Sequence, residues 1–452
     1  MWFNNFLMKN KISMNRWNNE FSDSIISDDM KEAITLWRNM YENKAPWTGG
    51  NIKSMNIASA ICSEIARLTV IELKISVGGS LRGEYIQRQM DKILPSLRNK
   101  LELACALGSI AIKPYIKGKS MYFDFVAPDR FFPKSVNENG EITEAVFVQR
   151  LNRGGRFFTR LESHFLKNNR YIIENTVFVS NSEYDTGREI TLAESGIWTD
   201  MSQRLIIENI KTPLFTVFKV PFANTVDINS PLGVSVFSRA TELIEEADKQ
   251  FSRLLWEYES GERALYLDET AFKRDKTGKP LLPDKRLYRM INSGEGELFK
   301  DWSPQIRDES INRGLDSILI KIEDICGLAR GTFSKADITA KTATELKITR
   351  QRSYSTICDM QKALKFSLEK VIEIIDIWCD IYHIVERGEY SSGFEFDDSI
   401  ICDTDKEFEQ KLELTRMGIM SNEEFRMWYF GEDKPDEEKI PSKKPEKARM
   451  FI

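Results

Sequence analysis

Apolar residues recur every three or four positions through three long segments in the C-terminal half of the chain. Val236, Ala240, Leu243, Ala247, Phe251, Leu254 and Tyr258 mark the first, over 235–261. Ile311, Leu315, Ile318, Ile322 and Ile325 mark the second, over 304–328. Ile357, Leu364, Leu368, Val371, Ile375, Trp378, Tyr382 and Val385 mark the third, over 344–385. Such spacing predicts amphipathic helices with narrow apolar seams, which join one long helix to another. A helix of about 42 residues would reach about 63 Å, well beyond one compact domain. The pattern therefore implies side-by-side packing in something large.

The ends of these helices carry their own signals. Ser303-Pro304 predicts an opening for the second, because proline in the first turn lacks an N–H that would be unpaired anyway. Gly327 or Gly331 can close it. Thr342 and Glu345 have capping-box spacing for the start of the third. The loop before them, up to Ala340, is small and polar, and is expected to be mobile.

In the N-terminal half, Ser27-Asp28-Asp29 predicts the cap of a helix to about Glu42, with Ile34, Trp37 and Tyr41 inward. A second helix near 54–68 uses Ile57, Ile61, Ile65 and Leu68, before the strand-like TVIELKISV. A third, over 83–107, is expected to be kinked or divided by Pro95. From Gly108 the texture becomes β. GSIAIKPYI, a turn at Lys117–Lys119 and MYFDFV read as a hairpin, and ITEAVFVQRLN, RFFTRLESHFL, YIIENTVFVS and LFTVFKV read as further strands. Helices followed by mostly antiparallel strands predict an α+β domain over roughly 1–225.

A smaller β module follows the first long helix: RALYLDETAF, the basic loop KRDKTGKPLLPDKR, RLYRMIN, the turn SGEGE and LFKDW. Short helices are expected near 404–418 and 421–430, and the Lys-, Glu- and Pro-rich tail from Glu432 reads as disordered.

Composition narrows the classes. The 452 residues leave room for several modules and a substantial core. A net charge of −5 argues against a chain that clamps nucleic acid by neutralising phosphates. The six cysteines, Cys62, Cys105, Cys326, Cys358, Cys379 and Cys402, form no C-x-x-C pair and mostly sit in apolar periodic segments, as expected in a reducing compartment. The opening MWFNNFLMKNK lacks the features of a secretory leader. No stretch reaches the roughly 20 apolar residues that span a bilayer. A cytosolic, soluble chain is expected.

Candidate chemistry is sparse. Gly118-Lys119-Ser120 imitates the end of a phosphate-binding loop, but Lys113 stands where that loop needs glycine, and a strand follows instead of a helix. His164, in a strand, and His383, in the long helix, have no metal-ligand partner at local spacing. Glu245-Glu246 and Asp397-Asp398 are adjacent, so their side chains diverge and read as solvated. No catalytic, cofactor-binding or metal-binding residues are expected. The sharpest charge cluster is Lys273, Arg274, Lys276, Lys279, Lys285 and Arg286 in the small β module. It reads either as a docking surface or as a soluble hairpin tip.

Four segments, in this order and spacing, resemble the portal proteins of tailed bacteriophages, in the group of long-tailed phages of Gram-positive hosts. They are ELACALGSIAIKPYI, APDRFFPKSVNENGEITEAVFVQR, LGVSVFSRATELIEEADKQFSRLLWEYESGERALYL and ARGTFSKADITAKTATELK. The resemblance implies a portal fold: an α/β wing, a two-helix stem, a small β-rich clip, a long spine helix and a short helical crown. Carried onto this chain, the wing is 1–229, the first stem helix 230–262 and the clip 263–303. The second stem helix is 304–329, the tunnel loop 330–343 and the spine 344–386. The crown is 387–431, although part of 394–402 could return to the wing, and the tail is 432–452.

The resemblance also implies a structural, non-enzymatic protein without cofactors, assembled in the host cytoplasm into a virion. It implies a ring, usually of twelve copies, at one capsid vertex, through which double-stranded DNA is packaged and ejected. The terminase large subunit, scaffolding protein, major capsid protein and a head-completion adaptor are the partners it implies, with no membrane. Twelve copies at −5 carry a formal charge of about −60, which would keep DNA sliding without sticking. Arg330, Lys335 and Lys341 become candidates for transient backbone contacts in the tunnel loop, and equally read as solvated loop charges. The clip cations become candidates for docking the motor. Another head–tail connector or minor capsid protein without a DNA channel is the alternative.

Overall fold

The computed structural model describes residues 24–396 and 411–426, apart from 119, 168, 183–184, 186, 269–271, 278–280, 282–286, 292–298, 336–342, 419 and 422–423. Contacts divide the chain after Phe396 into two units. The first is mixed helix and sheet, an α+β arrangement.

Helix α1, Asp28–Tyr41, begins where Ser27 Oγ accepts the Met30 N–H, and Asp28 and Asp29 face the positive end of the helix. Met30, Ile34, Trp37 and Met40 recur three or four apart and are buried. Helix α2, Ile57–Val70, leads to strand β1, Leu73–Gly78. The expected strand therefore starts four residues late, because Thr69 and Val70 continue the helix. Helix α3, Leu81–Leu107, runs with Pro95 inside it, so the segment is a single helix and is not divided. Gly108 caps it in the left-handed region, and a side chain there would run into the backbone of Gly233.

Strands β2, Ser109–Lys117, and β3, Ser120–Val126, form the expected hairpin; the Gly118 turn joins strand to strand, not strand to helix. Strand β4, Phe131–Val136, opens the largest sheet, continued by β5, Ile142–Arg153, β6, Arg156–Lys167, and β7, Arg170–Ser180. Strand β8, Arg188–Ile190, leads to the single-turn helix α4, Leu192–Ser195, and then to strand β9, Arg204–Glu208. Both strands pair with β7, at opposite ends. Strand β10, Thr216–Lys219, leaves that sheet and pairs with β2.

Helix α5, Thr241–Ser260, follows a 3-10 turn at Ser238–Ala240, so Val236 and Ala240 precede the helix their spacing suggested. Three strands come next: β11, Ala264–Asp268, β12, Tyr288–Ile291, and β13, Phe299–Trp302. β11 is central, parallel to β12 and antiparallel to β13. Helix α6, Asp308–Cys326, starts four residues beyond Pro304 and packs against α5. Each helix has a buried face: Ile244, Ala247 and Leu254 on α5, and Leu315, Leu319, Ile322 and Cys326 on α6. Arg307 binds Glu257 through both its side chain and its N–H, and those hydrogen bonds pull the Glu257 carboxyl down to about 2.

The long helix α7, Ala343–Tyr382, ends at His383, whose φ of 47° lies in the left-handed region; His383 is therefore just past the helix. Ile357, Leu364, Leu368, Val371, Ile375 and Trp378 are buried within this same unit, where α7 packs on β2, β10, α2 and α3. Trp378 Nε1–H donates to the Pro114 carbonyl of β2 at 2.9 Å. Much of the seam that suggested a partner helix is thus core.

Strand β14, Ser391–Phe396, pairs antiparallel with β1 along its whole length. Residues 391–396 therefore belong to the first unit and not to a separate C-terminal region beginning at 387. Arg82, 1% exposed, holds this corner: it donates to the carbonyls of Asp376 and Glu386 and to Asp380 Oδ1. In the second unit, residues 411–416 form a helical segment. Thr342, the SGEGE turn, Asp397-Asp398, Cys402 and the tail from Glu432 lie outside the described residues, as does the opening MWFNNFLMKNK.

Candidate functional site

The connection leaving α6 is built by three carboxylates of that helix. Gly327 ends α6 in the left-handed region, with its N–H and that of Leu328 donating to the Glu323 carbonyl. The chain then folds back along the helix. The Glu323 carboxylate is 0% exposed and accepts from the Phe333 N–H at 2.6 Å, the Ser334 N–H at 2.8 Å, Ser334 Oγ at 2.7 Å and the Gly331 N–H at 3.2 Å. Four donors offset the desolvation of a buried carboxylate. Asp324 accepts from Arg330 Nε at 3.0 Å and Nη2 at 2.8 Å. Asp316, two turns back on the helix, accepts from the Lys335 N–H at 2.6 Å.

Within 328–335 the loop is thus hydrogen-bonded to α6, and 336–340 of the segment expected to be mobile lie outside the described residues. Arg330 and Lys335 are brought to one stretch of α6, but in different states. Hydrogen bonding to Asp324 raises the Arg330 pKa further and neutralises its charge locally. The Lys335 side chain is exposed and, among the described residues, pairs with no carboxylate. Lys341 lies outside the described residues.

In the β11–β13 module, Asp275 accepts from the N–H and hydroxyl of Thr277, a side-chain turn that places Lys276 at its tip. Lys273, Arg274 and Lys276 are all exposed there, and the Lys273 carbonyl accepts from Leu281 N–H. Lys279, Lys285 and Arg286 lie outside the described residues.

The densest charge cluster went unread in the sequence. Glu162 of β6 receives Lys113 Nζ at 2.7 Å, His164 Nε2 at 2.8 Å and Arg160 Nη1 at 2.8 Å. Burial pushes its carboxyl up, but Lys113, His164 and Arg160 outweigh that and hold it well below the usual range. Burial lowers the His164 pKa, so the imidazole is neutral. Its Nε2–H then donates to Glu162, and Nδ1 accepts the Tyr171 hydroxyl at 2.7 Å. Lys113, Arg160 and Glu162 line a cavity of about 320 Å³ with Asp124 and Phe147. Each of these ions is engaged by another, which makes the cluster an internal brace. The signal was present: Arg160, Glu162 and His164 alternate along one strand, which places them on one face.

Among the described residues, no group of three or more His, Cys, Asp or Glu is arranged to hold a metal ion. Glu245 and Glu246 both pair with Lys249. Cys62, Cys105, Cys326 and Cys379 are buried free thiols; burial pushes Cys326 up to about 12 and Cys379 to about 11. No described helix is long and apolar enough to cross a membrane.

Residues 96–449 match the family model described as phage portal protein, SPP1 Gp6-like, which spans the β-rich region, the α5–α6 pair and the long helix. The chain is thus of the portal class of phage structural proteins. It belongs to the SPP1 Gp6-like portal family. A search of curated proteins gives no match. Among solved structures, a chain of the "Neck of native GTA particle computed with C12 symmetry" is similar, with 10% identity and a TM-score of 0.43. The alignment covers 90% of this chain and 94% of that one.

Proposed function

We propose that this portal protein forms a closed ring of about a dozen copies at one capsid vertex, a conduit for double-stranded DNA during packaging and ejection. The observation that supports this best is the order α5, three-stranded module, α6, folded-back loop and α7 within the family-matched residues. In this reading α5 and α6 are the stem, 263–303 the clip, the connection after Gly327 the root of the tunnel loop, and α7 the spine. The wing is the N-terminal α+β part together with β14, and the crown is reduced to residues after Phe396.

The protein conducts DNA and does not process it; a separate terminase supplies the motor. Net charge of −5 per subunit keeps the bore from binding phosphate tightly. The exposed clip cations Lys273, Arg274 and Lys276 offer a surface to the terminase and later to a head-completion adaptor. Scaffolding protein and major capsid protein are the remaining partners, and the virion is the final location.

Negative-stain electron microscopy of the purified chain, with light-scattering mass on the same sample, tests the ring. Holed rings with a mass near a dozen subunits are expected. A compact dimer with ATPase or nuclease activity would overturn the reading.

A further inference from the structure

Of the three cations assigned to the loop after α6, two are described, and they differ in how free their charge is. Arg330 lies in a two-point ion pair with Asp324, so offering it to a phosphate would first require breaking that pair. Lys335 has its backbone fixed and its ammonium unpaired among the described residues. The fixing is local and strong. Ser334, the preceding residue, gives both its N–H and its hydroxyl to Glu323, and the Lys335 N–H is held by Asp316. Gly331 and Phe333 complete the grip on Glu323. With no exposure to water, Glu323 has no alternative partner for its oxygens. The Phe333 and Ser334 amides would lose their acceptor if the carboxylate were replaced, whereas the Gly331 N–H also reaches Ser334 Oγ at 3.0 Å.

We infer that Glu323 is a positioning residue: by anchoring Gly331–Ser334 it sets the Lys335 ammonium, and not the Arg330 guanidinium, as the charge that meets the DNA backbone. This rests on the proposed DNA-facing role of the loop. One unpaired cation per subunit on an anchored backbone, as found among the described loop residues, can touch phosphate transiently without summing to tight binding.

The test uses full-length rings carrying Glu323→Gln, Lys335→Ala, Arg330→Ala or the Glu323→Gln/Lys335→Ala pair. Glutamine keeps the shape but turns an NH₂ group toward N–H donors. Hydrogen exchange at residues 331–334 is expected to quicken about tenfold or more in Glu323→Gln, with ring mass unchanged. DNA retained per particle should fall alike in Glu323→Gln, Lys335→Ala and their combination, while Arg330→Ala behaves as wild type. Ser334→Ala, which removes one of the four hydrogen bonds, carries the test if Glu323→Gln fails to assemble. Unchanged exchange overturns the anchor. Faster exchange with normal DNA retention in Lys335→Ala overturns the inference through the DNA contact and leaves the anchor standing. Equal losses in Arg330→Ala and Lys335→Ala overturn the choice of Lys335.

Discussion

Glu162 is largely buried, and its charge is held by the cations around it. Replacing it with glutamine leaves buried Lys113 only the more distant Asp124 carboxylate, at 3.6 Å, and buried Arg160 only neutral acceptors, Asn175 and Gln149 among them. Glu162→Gln is therefore expected to destabilise the chain by about 3 kcal/mol in urea denaturation. The same cluster dictates a response to acid. His164 is held neutral when folded, so the unfolded chain binds more protons at this residue. Its contribution is complete above the unfolded pKa of about 6.5 and is lost as pH falls below it. Glu162 acts in the same direction at lower pH: its folded pKa is depressed, so its contribution is complete above about 4.3 and is lost as pH falls through the folded value. His164→Gln can still donate to Glu162 and accept from Tyr171, but does not titrate. It should flatten the dependence of the urea midpoint on pH between about 7 and 5, by up to about 1.4 kcal/mol per pH unit. An unchanged slope would mean that His164 titrates alike in both states. Local spacing places only Arg160, Glu162 and His164 on one face; the fourth member, Lys113, comes from a different sheet, 49 residues away, and has no local signal.

Elements with self-contained signals were the legible ones. Ser27 caps α1 because its hydroxyl needs only the N–H three residues on, and the β2–β3 hairpin needs only its own turn. Pairings made between distant segments were not legible. The resemblance allowed part of 394–402 to return to the wing, but nothing in SSGFEF itself names β1 as its partner, and nothing in RLYRMIN shows that it lies parallel to β11. The α5 and α6 seams differ from their spacing for a related reason: each helix carries two apolar stripes, and only one is buried within the same chain. On α6 the inward stripe is Leu315, Leu319, Ile322 and Cys326, whereas Ile311 and Ile318 are half-buried and Ile325 is 40% exposed. On α5, Leu255, Trp256 and Tyr258 are exposed, Trp256 by 62%. In the proposed ring Ile325 and Trp256 are thus available to the next copy, whereas the Tyr258 hydroxyl donates to Asp308 of α6 in the same chain. Ile325→Glu and Trp256→Glu are therefore expected to change the stability of the isolated chain by no more than about 0.5 kcal/mol while abolishing rings in light scattering. Leu319→Ala, inside the seam, should instead lower chain stability by about 2–5 kcal/mol. Rings that persist in both outward variants would assign those stripes to solvent.

For the whole molecule, the acidic balance and the exposed cations serve different contacts in the proposed function. A subunit with a net charge of −5 presents its cations locally, and the turn organised by Asp275 exposes three of them within four residues. At physiological salt the screening length is about 8 Å, so such a cluster acts only on a partner that comes into near contact. That suits a docking surface, where rim charges govern the rate of encounter and its salt dependence more than the fold. Lys273→Glu/Arg274→Glu/Lys276→Glu is therefore expected to leave ring mass and melting temperature unchanged. Association of the rings with the terminase large subunit, followed by surface-immobilised binding at several salt concentrations, should weaken about tenfold or more at low salt, and the difference from wild type should shrink as salt rises. Equal affinity at every salt concentration would make the cluster a solvated turn and move the motor's contact elsewhere on the ring. Equal weakening at low and high salt would point instead to a distorted β11–β13 module, a case that hydrogen exchange of β11 separates from a lost charge contact.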